Sequence, residues 1–157
     1  MAGVGTTASG ARWRFILVGG ISAGKTTLLR ALENKAAFDA RKTQMVDYSG
    51  WGIDTPGEFA EMRHYRGMLM AVYFDAQLIV AVQDATRSDS FFPPGYFKMF
   101  PQTTVGVVSK IDAAEADTER ASRLLRQAGV TGEIYCVSAI TGSGISKLRD
   151  DLLNQRF

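Results

Sequence analysis

With 157 residues, 46% of them hydrophobic and 22% charged, the chain has the length and composition of one globular domain with a substantial core. Its net charge of +2, from 18 basic and 16 acidic side chains, is too balanced to argue for a nucleic-acid or membrane partner. A single cysteine, Cys136, excludes an internal disulfide, a single histidine, His64, argues with it against a dedicated zinc site, and no apolar run reaches membrane-spanning length.

Met1 to Arg12 is small and polar and lacks the apolar middle of a signal peptide. It reads as a flexible leader ahead of one domain over 13–157, and a cytoplasmic location follows as the expectation. A strand is expected over about 13–18 and a helix over about 25–34, with a polar loop over 35–43. Gln44–Tyr48 and Trp51–Asp54 read as short strands around a Ser49-Gly50 turn. Met62, Tyr65, Leu69 and Val72 form a core stripe on a long helix over about 58–74, where His64 reads as a surface residue. Leu78–Gln83 and Thr103–Val108 are continuous apolar runs typical of buried parallel strands. A charged helix over 113–128 stops at Gly129. Ile134–Ser138 reads as a last strand that buries Cys136, and Ile145, Leu148 and Leu152 mark the inner face of a closing helix. Alternating strands and helices predict an α/β fold with a mostly parallel sheet and helices on both faces.

Between the first strand and the first helix lies Gly19-Gly20-Ile21-Ser22-Ala23-Gly24-Lys25-Thr26, a complete G-x-x-x-x-G-K-T motif followed by Thr27. Its glycines let backbone N–H groups turn inward on phosphate oxygens, and the helix dipole favours the same anion. Lys25 would reach the β- and γ-phosphates and the Thr26 hydroxyl would bind magnesium. Asp54-Thr55-Pro56-Gly57 follows a strand, as suits a carboxylate holding magnesium through water and a glycine N–H meeting the γ-phosphate. Alone, D-x-x-G is equally a simple turn; its place after the phosphate loop strengthens the functional reading. Thr43 lies in the loop after the first helix, where it could swing onto magnesium and the γ-phosphate. Ser109-Lys110-Ile111-Asp112 ends another strand. The Asp112 carboxylate can accept from guanine N1–H and the 2-amino group, donors that adenine lacks there, while the Lys110 stem lies along the base with its ammonium in water. A backbone N–H at Ser138-Ala139 would meet the guanine oxygen. Phe91 to Pro101 gathers five aromatic residues, either a partner-docking surface or a short helix packed on the sheet edge.

With these motifs in order, the chain resembles the Ras-like P-loop GTPases from about Trp13 to Phe157. That resemblance implies a three-layer domain with a six-stranded, mostly parallel sheet binding GTP or GDP with magnesium. Lys42-Thr43-Gln44, Asp54-Thr55-Pro56-Gly57-Glu58, Val82-Gln83-Asp84-Ala85-Thr86, Phe92-Pro93-Pro94-Gly95 and Ser109-Lys110-Ile111-Asp112 further resemble the EutP/PduV family. This implies a role in ethanolamine or propanediol utilisation, beside bacterial microcompartment shell or pathway enzymes. Ser109 departs from the Asn or Thr usual in the guanine motif, which leaves ATP open. Glu58 replaces the usual catalytic glutamine and predicts slow intrinsic hydrolysis. Ile21 would obstruct an arginine supplied in trans, and Ser22 replaces the asparagine of potassium-activated relatives. The catalytic set is therefore Lys25, Thr43, Gly57 and Glu58, and the metal set Thr26, Thr43 and Asp54. A slow GTPase switch leads; ATP-dependent acetate phosphorylation and a nucleotide-stabilised scaffold are the alternatives.

Overall fold

The computed structural model describes residues 14–33, the backbone of 52–54, and residues 76–157. Strand β1 is Phe15–Gly19, helix α1 Lys25–Leu32, β2 Gly52–Asp54 and β3 Leu78–Asp84. A 3₁₀ turn at Tyr96–Met99 precedes β4, Thr103–Ser109; helix α2 is Thr118–Gln127, β5 Ile134–Cys136 and α3 Ile145–Leu153. The leader, the 35–43 loop, the expected strand at 44–48 and the expected helix at 58–74 lie outside the described residues.

The sheet runs β2-β1-β3-β4-β5, and every pairing is parallel. It has five strands among the described residues, where six were expected. β1 and β3 are buried along their whole length because they are covered from both sides. Side chains alternate between two cores, as a pleated strand requires. Phe15, Leu17, Val80 and Val82 face Leu28, Leu29 and Leu32 of α1 and Ile145, Leu148 and Leu152 of α3. Ile16, Val18, Ile79 and Ala81 face Ala121 and Leu125 of α2 together with Phe92, Phe97 and Phe100. Among the described residues two helices therefore cover one face and one covers the other, a three-layer α/β arrangement.

Helix α2 begins at Thr118, later than the expected 113. The Asp117 side chain accepts the Arg120 N–H at 2.9 Å and caps the helix, while residues before it form tight turns such as Ala116 N–H to Ala113 O. Gly129, at φ 101°, ends α2 in a Schellman arrangement: its N–H donates to Arg126 O and the Val130 N–H to Leu125 O. Cys136 is exposed, contrary to the expected core thiol, because on this short edge strand Tyr135 takes the buried face. The aromatic segment is internal packing: Phe92 and Phe97 rings lie 4.6 Å apart, Phe97 and Phe100 6.4 Å apart, and all three are buried. The short-helix alternative describes this packing, with a 3₁₀ turn at Tyr96–Met99.

Candidate functional site

The strand order reverses between β1, whose sequence neighbour β2 lies on one side, and β3 on the other. Ligands of open α/β sheets bind beyond the carboxyl ends of strands at such a switch point. The glycine-rich loop leaves β1 there. A side chain at Gly19 would put its Cβ 2.7 Å from Val82 O, so only glycine lets the end of β1 lie this close to β3. Gly24 has φ 94°, a left-handed conformation disfavoured for other residues, and directly precedes α1. Within the loop the Ala23 N–H donates to Gly20 O at 3.2 Å, so this donor closes the turn rather than pointing at a ligand. Lys25 is buried, and its ammonium donates to Gly19 O at 2.9 Å and Gly20 O at 2.8 Å. Ile21 lines a small cavity with Gly20, Ala23, Asp84, Arg87 and Phe91. Ser22 is exposed with φ 61°.

A larger open cavity of about 290 Å³ is lined by other residues. Gly24, Thr27, Ser109, Lys110, Asp112 and Ala139 are among its lining residues. These expected positions thus converge, although they come from α1 and from the ends of β4 and β5. Ser109 Oγ donates to Ala23 O at 2.7 Å and so ties β4 to the phosphate loop. Lys110, at φ 60°, turns back over the loop. Its ammonium donates to Ser22 O at 2.6 Å and Asp84 Oδ2 at 2.7 Å, while the side chain remains partly exposed. The Ser138 hydroxyl donates to Asp112 Oδ1 at 2.7 Å and accepts the Thr141 N–H at 3.1 Å, fixing the carboxylate. The Ser138 N–H donates to Ser143 O at 2.9 Å, which leaves Ala139 as the backbone donor of that pair.

Asp54 ends β2, where its register partner on β1 is Leu17, two residues before Gly19. Asp54 and Thr26, in the first turn of α1, therefore reach the same edge of the sheet. A carboxylate and a hydroxyl are the hard-oxygen ligands that magnesium takes, and these two residues would supply them. Thr43, Gly57 and Glu58 lie outside the described residues.

Sequence reading of the site missed the groups that hold it in shape. Asp84 is buried; its Oδ1 accepts the Thr86 N–H at 2.8 Å and the Thr86 hydroxyl at 2.7 Å, and its Oδ2 accepts Lys110. Burial works to raise the Asp84 pKa, but the bonds from Lys110 and Thr86 outweigh it and hold the pKa below the ordinary aspartate value. Gln83, also buried, donates to Asp89 O at 3.1 Å and shapes the loop after β3. The sequence offered two polar residues closing an otherwise apolar strand, within a segment that resembles the EutP/PduV family, but no role for them.

Residues 12–154 match the family model described as ethanolamine utilisation - propanediol utilisation, PduV-EutP. The chain belongs to this family. It is 30% identical over 141 residues to the "Probable acetate kinase EutP" of Escherichia coli K12, covering 88% of each chain. It is 32% identical over 138 residues to the "Propanediol utilization protein PduV" of Citrobacter freundii, covering 86% of this chain and 89% of that one. A more distant relative is the GTPase Era of Maricaulis maris, 28% identical over 169 residues, covering 85% of this chain and 54% of Era. The PduV-EutP chain is thus related to the P-loop GTPases. Among its described residues no helix is long and apolar enough to cross a membrane.

Proposed function

We propose that the protein is a small, magnesium-dependent, guanine-nucleotide-binding P-loop NTPase that hydrolyses GTP slowly. It acts as a cytoplasmic switch in a catabolic pathway of the ethanolamine or propanediol type, next to a microcompartment shell or pathway enzymes. The observation that carries this reading is the Asp112 carboxylate, oriented by Ser138 at 2.7 Å and lining one cavity with Gly24 and Thr27 of the phosphate-loop helix. A base held there places its phosphates on the loop. Asp112 accepts the two guanine donors and the Ala139 N–H meets the guanine oxygen. Gly19 to Thr27 cradle the phosphates, and Lys25, buried against the loop carbonyls, has only a short way to turn toward the β- and γ-oxygens. Thr26, Asp54 and Thr43 would hold magnesium, which supplies charge neutralisation between those oxygens. Gly57 would orient the γ-phosphate. Glu58 carries negative charge beside the phosphate and positions the attacking water poorly. Ile21, at the loop crest, obstructs an arginine from a partner.

ATP-dependent acetate phosphorylation is the second reading, favoured by the similarity to the Escherichia coli "Probable acetate kinase EutP". An acetate oxygen would attack the γ-phosphorus in place of water, breaking its bond to the bridging oxygen and releasing ADP. Asp112→Asn separates the two. Under the GTPase reading the variant loses GDP affinity by about ten-fold or more. If it instead keeps a full rate of ATP-dependent acetyl phosphate formation, the kinase reading replaces it. Turnover of GTP at several per second by the protein alone would contradict the slow switch.

A further inference from the structure

We propose that Asp84 is a positioning residue for nucleotide: through Lys110 it holds both the wall of the base cavity and the crest of the phosphate loop in their binding shape. This inference rests on the nucleotide-site reading above.

Asp84 ends β3 and Ser109 ends β4, and the two are register partners. Lys110 is therefore the first residue beyond the sheet, one past the register partner of that carboxylate. The Asp84 side chain is 7% exposed, and Thr86 fixes one of its oxygens with two hydrogen bonds. The other oxygen is thereby aimed at Lys110 Nζ, 2.7 Å away. A lysine without that anchor is a flexible stem with a strongly hydrated head. Here the stem passes over Gly24, with Cε 3.9 Å from where a Cβ on that residue would sit, and the ammonium continues to Ser22 O. Both ends of this bond are left-handed non-glycine residues, Lys110 at φ 60° and Ser22 at φ 61°. Such conformations persist only when their surroundings hold them. Asp84, Lys110 and Ser22 O form that restraint, and it joins a residue lining the small cavity to one lining the large cavity. Asp84 lines the small cavity and touches no base; its effect on binding passes through Lys110.

The test is a double-mutant cycle on the full chain, with release of a fluorescent GDP analogue and thermal melting both measured. Asp84→Asn removes the charge and keeps the shape. We expect GDP release about ten-fold faster. In a Lys110→Met background the same change has no further effect on release. Equal effects of Asp84→Asn with and without Lys110 would overturn the proposal, since the role would then be structural only. Unchanged release in the single variant would overturn it too. If Asp84→Asn does not fold, Thr86→Val takes its place: it removes one of the bonds that aim the carboxylate, and faster release is expected, unchanged release being contrary. Wild-type protein that binds no guanine nucleotide would remove the underlying reading; wild-type binding with an insensitive Asp84 would remove this inference alone.

Discussion

At the residue scale the site is a set of polar groups at strand ends, each fixed by a partner distant in sequence. The Asp84 pKa lies below the ordinary aspartate value of 3.8 because the bonds from Lys110 and Thr86 favour the charged form. A depressed carboxylate contributes stability that is full above its unfolded value and is lost as pH falls through the lower folded one. Asp84→Asn is therefore expected to melt below the wild type at about pH 7, with the gap narrowing as pH falls below the ordinary aspartate value of 3.8 and Asp84 itself becomes protonated. Melting curves across that range check this; a gap that stays constant would mean that the carboxylate charge is not what stabilises the strand end. Ser109 shows how a substitution can move a function without removing it. Its hydroxyl ties β4 to Ala23 O at 2.7 Å, and in the proposed reading base selection falls to Asp112. Ser109→Ala is expected to loosen the phosphate loop and raise the Kd for GDP several-fold, by about 1 kcal/mol for the lost bond, while keeping the guanine preference. Titration with GDP and ATP in parallel distinguishes this from a loss of selectivity.

At the element scale α1 is fixed at both ends. Its start is set by Gly24, and its last carbonyls are capped from α3: Arg149 donates to Leu32 O and to Ala31 O, each at 2.8 Å. A cation on helix carbonyls is favoured by the dipole as well as by the bonds. Arg149→Ala is expected to cost about 1–2 kcal/mol, read in a thermal melt as roughly 2–4 °C per kcal/mol for a chain of this size. Arg149→Lys should recover only part of it, because one ammonium does not reproduce the planar fork. Elements were legible where local chemistry marks them: the apolar runs of β1, β3 and β4, the glycine after α2, and the Ile145, Leu148 and Leu152 stripe of α3. The start of α2 was not, because the charged residues at 113–117 suit a helix equally well until the Asp117 cap decides the boundary. β5 ends at Cys136 rather than Ser138 because the Ser138 backbone and hydroxyl turn to Ser143 and Asp112. The contacts that shape the site were hidden for a related reason. Lys110 meets a residue 26 positions away, Ser109 one 86 away, and Arg149 a carbonyl 117 away, and no periodicity encodes such pairs.

At the scale of the whole molecule, a parallel sheet ordered β2-β1-β3-β4-β5 brings the phosphate loop, Asp54, Ser109 to Asp112 and Ser138-Ala139 to one edge. Motifs widely spaced in the chain gather there because every parallel strand ends on the same side. That gathering was readable from motif order; the exposure of Cys136 was not, and the aromatic segment stayed between two readings, since both depend on which face each helix covers. Nucleotide competition tests the central claim most directly. A fluorescent GDP analogue is bound with magnesium and challenged in turn with GDP, GTP, ADP and ATP. Displacement by guanine nucleotides alone is the expected result, with Asp112 as the selector. Displacement by ATP as good as or better than by GTP would contradict it and put phosphoryl transfer from ATP in its place.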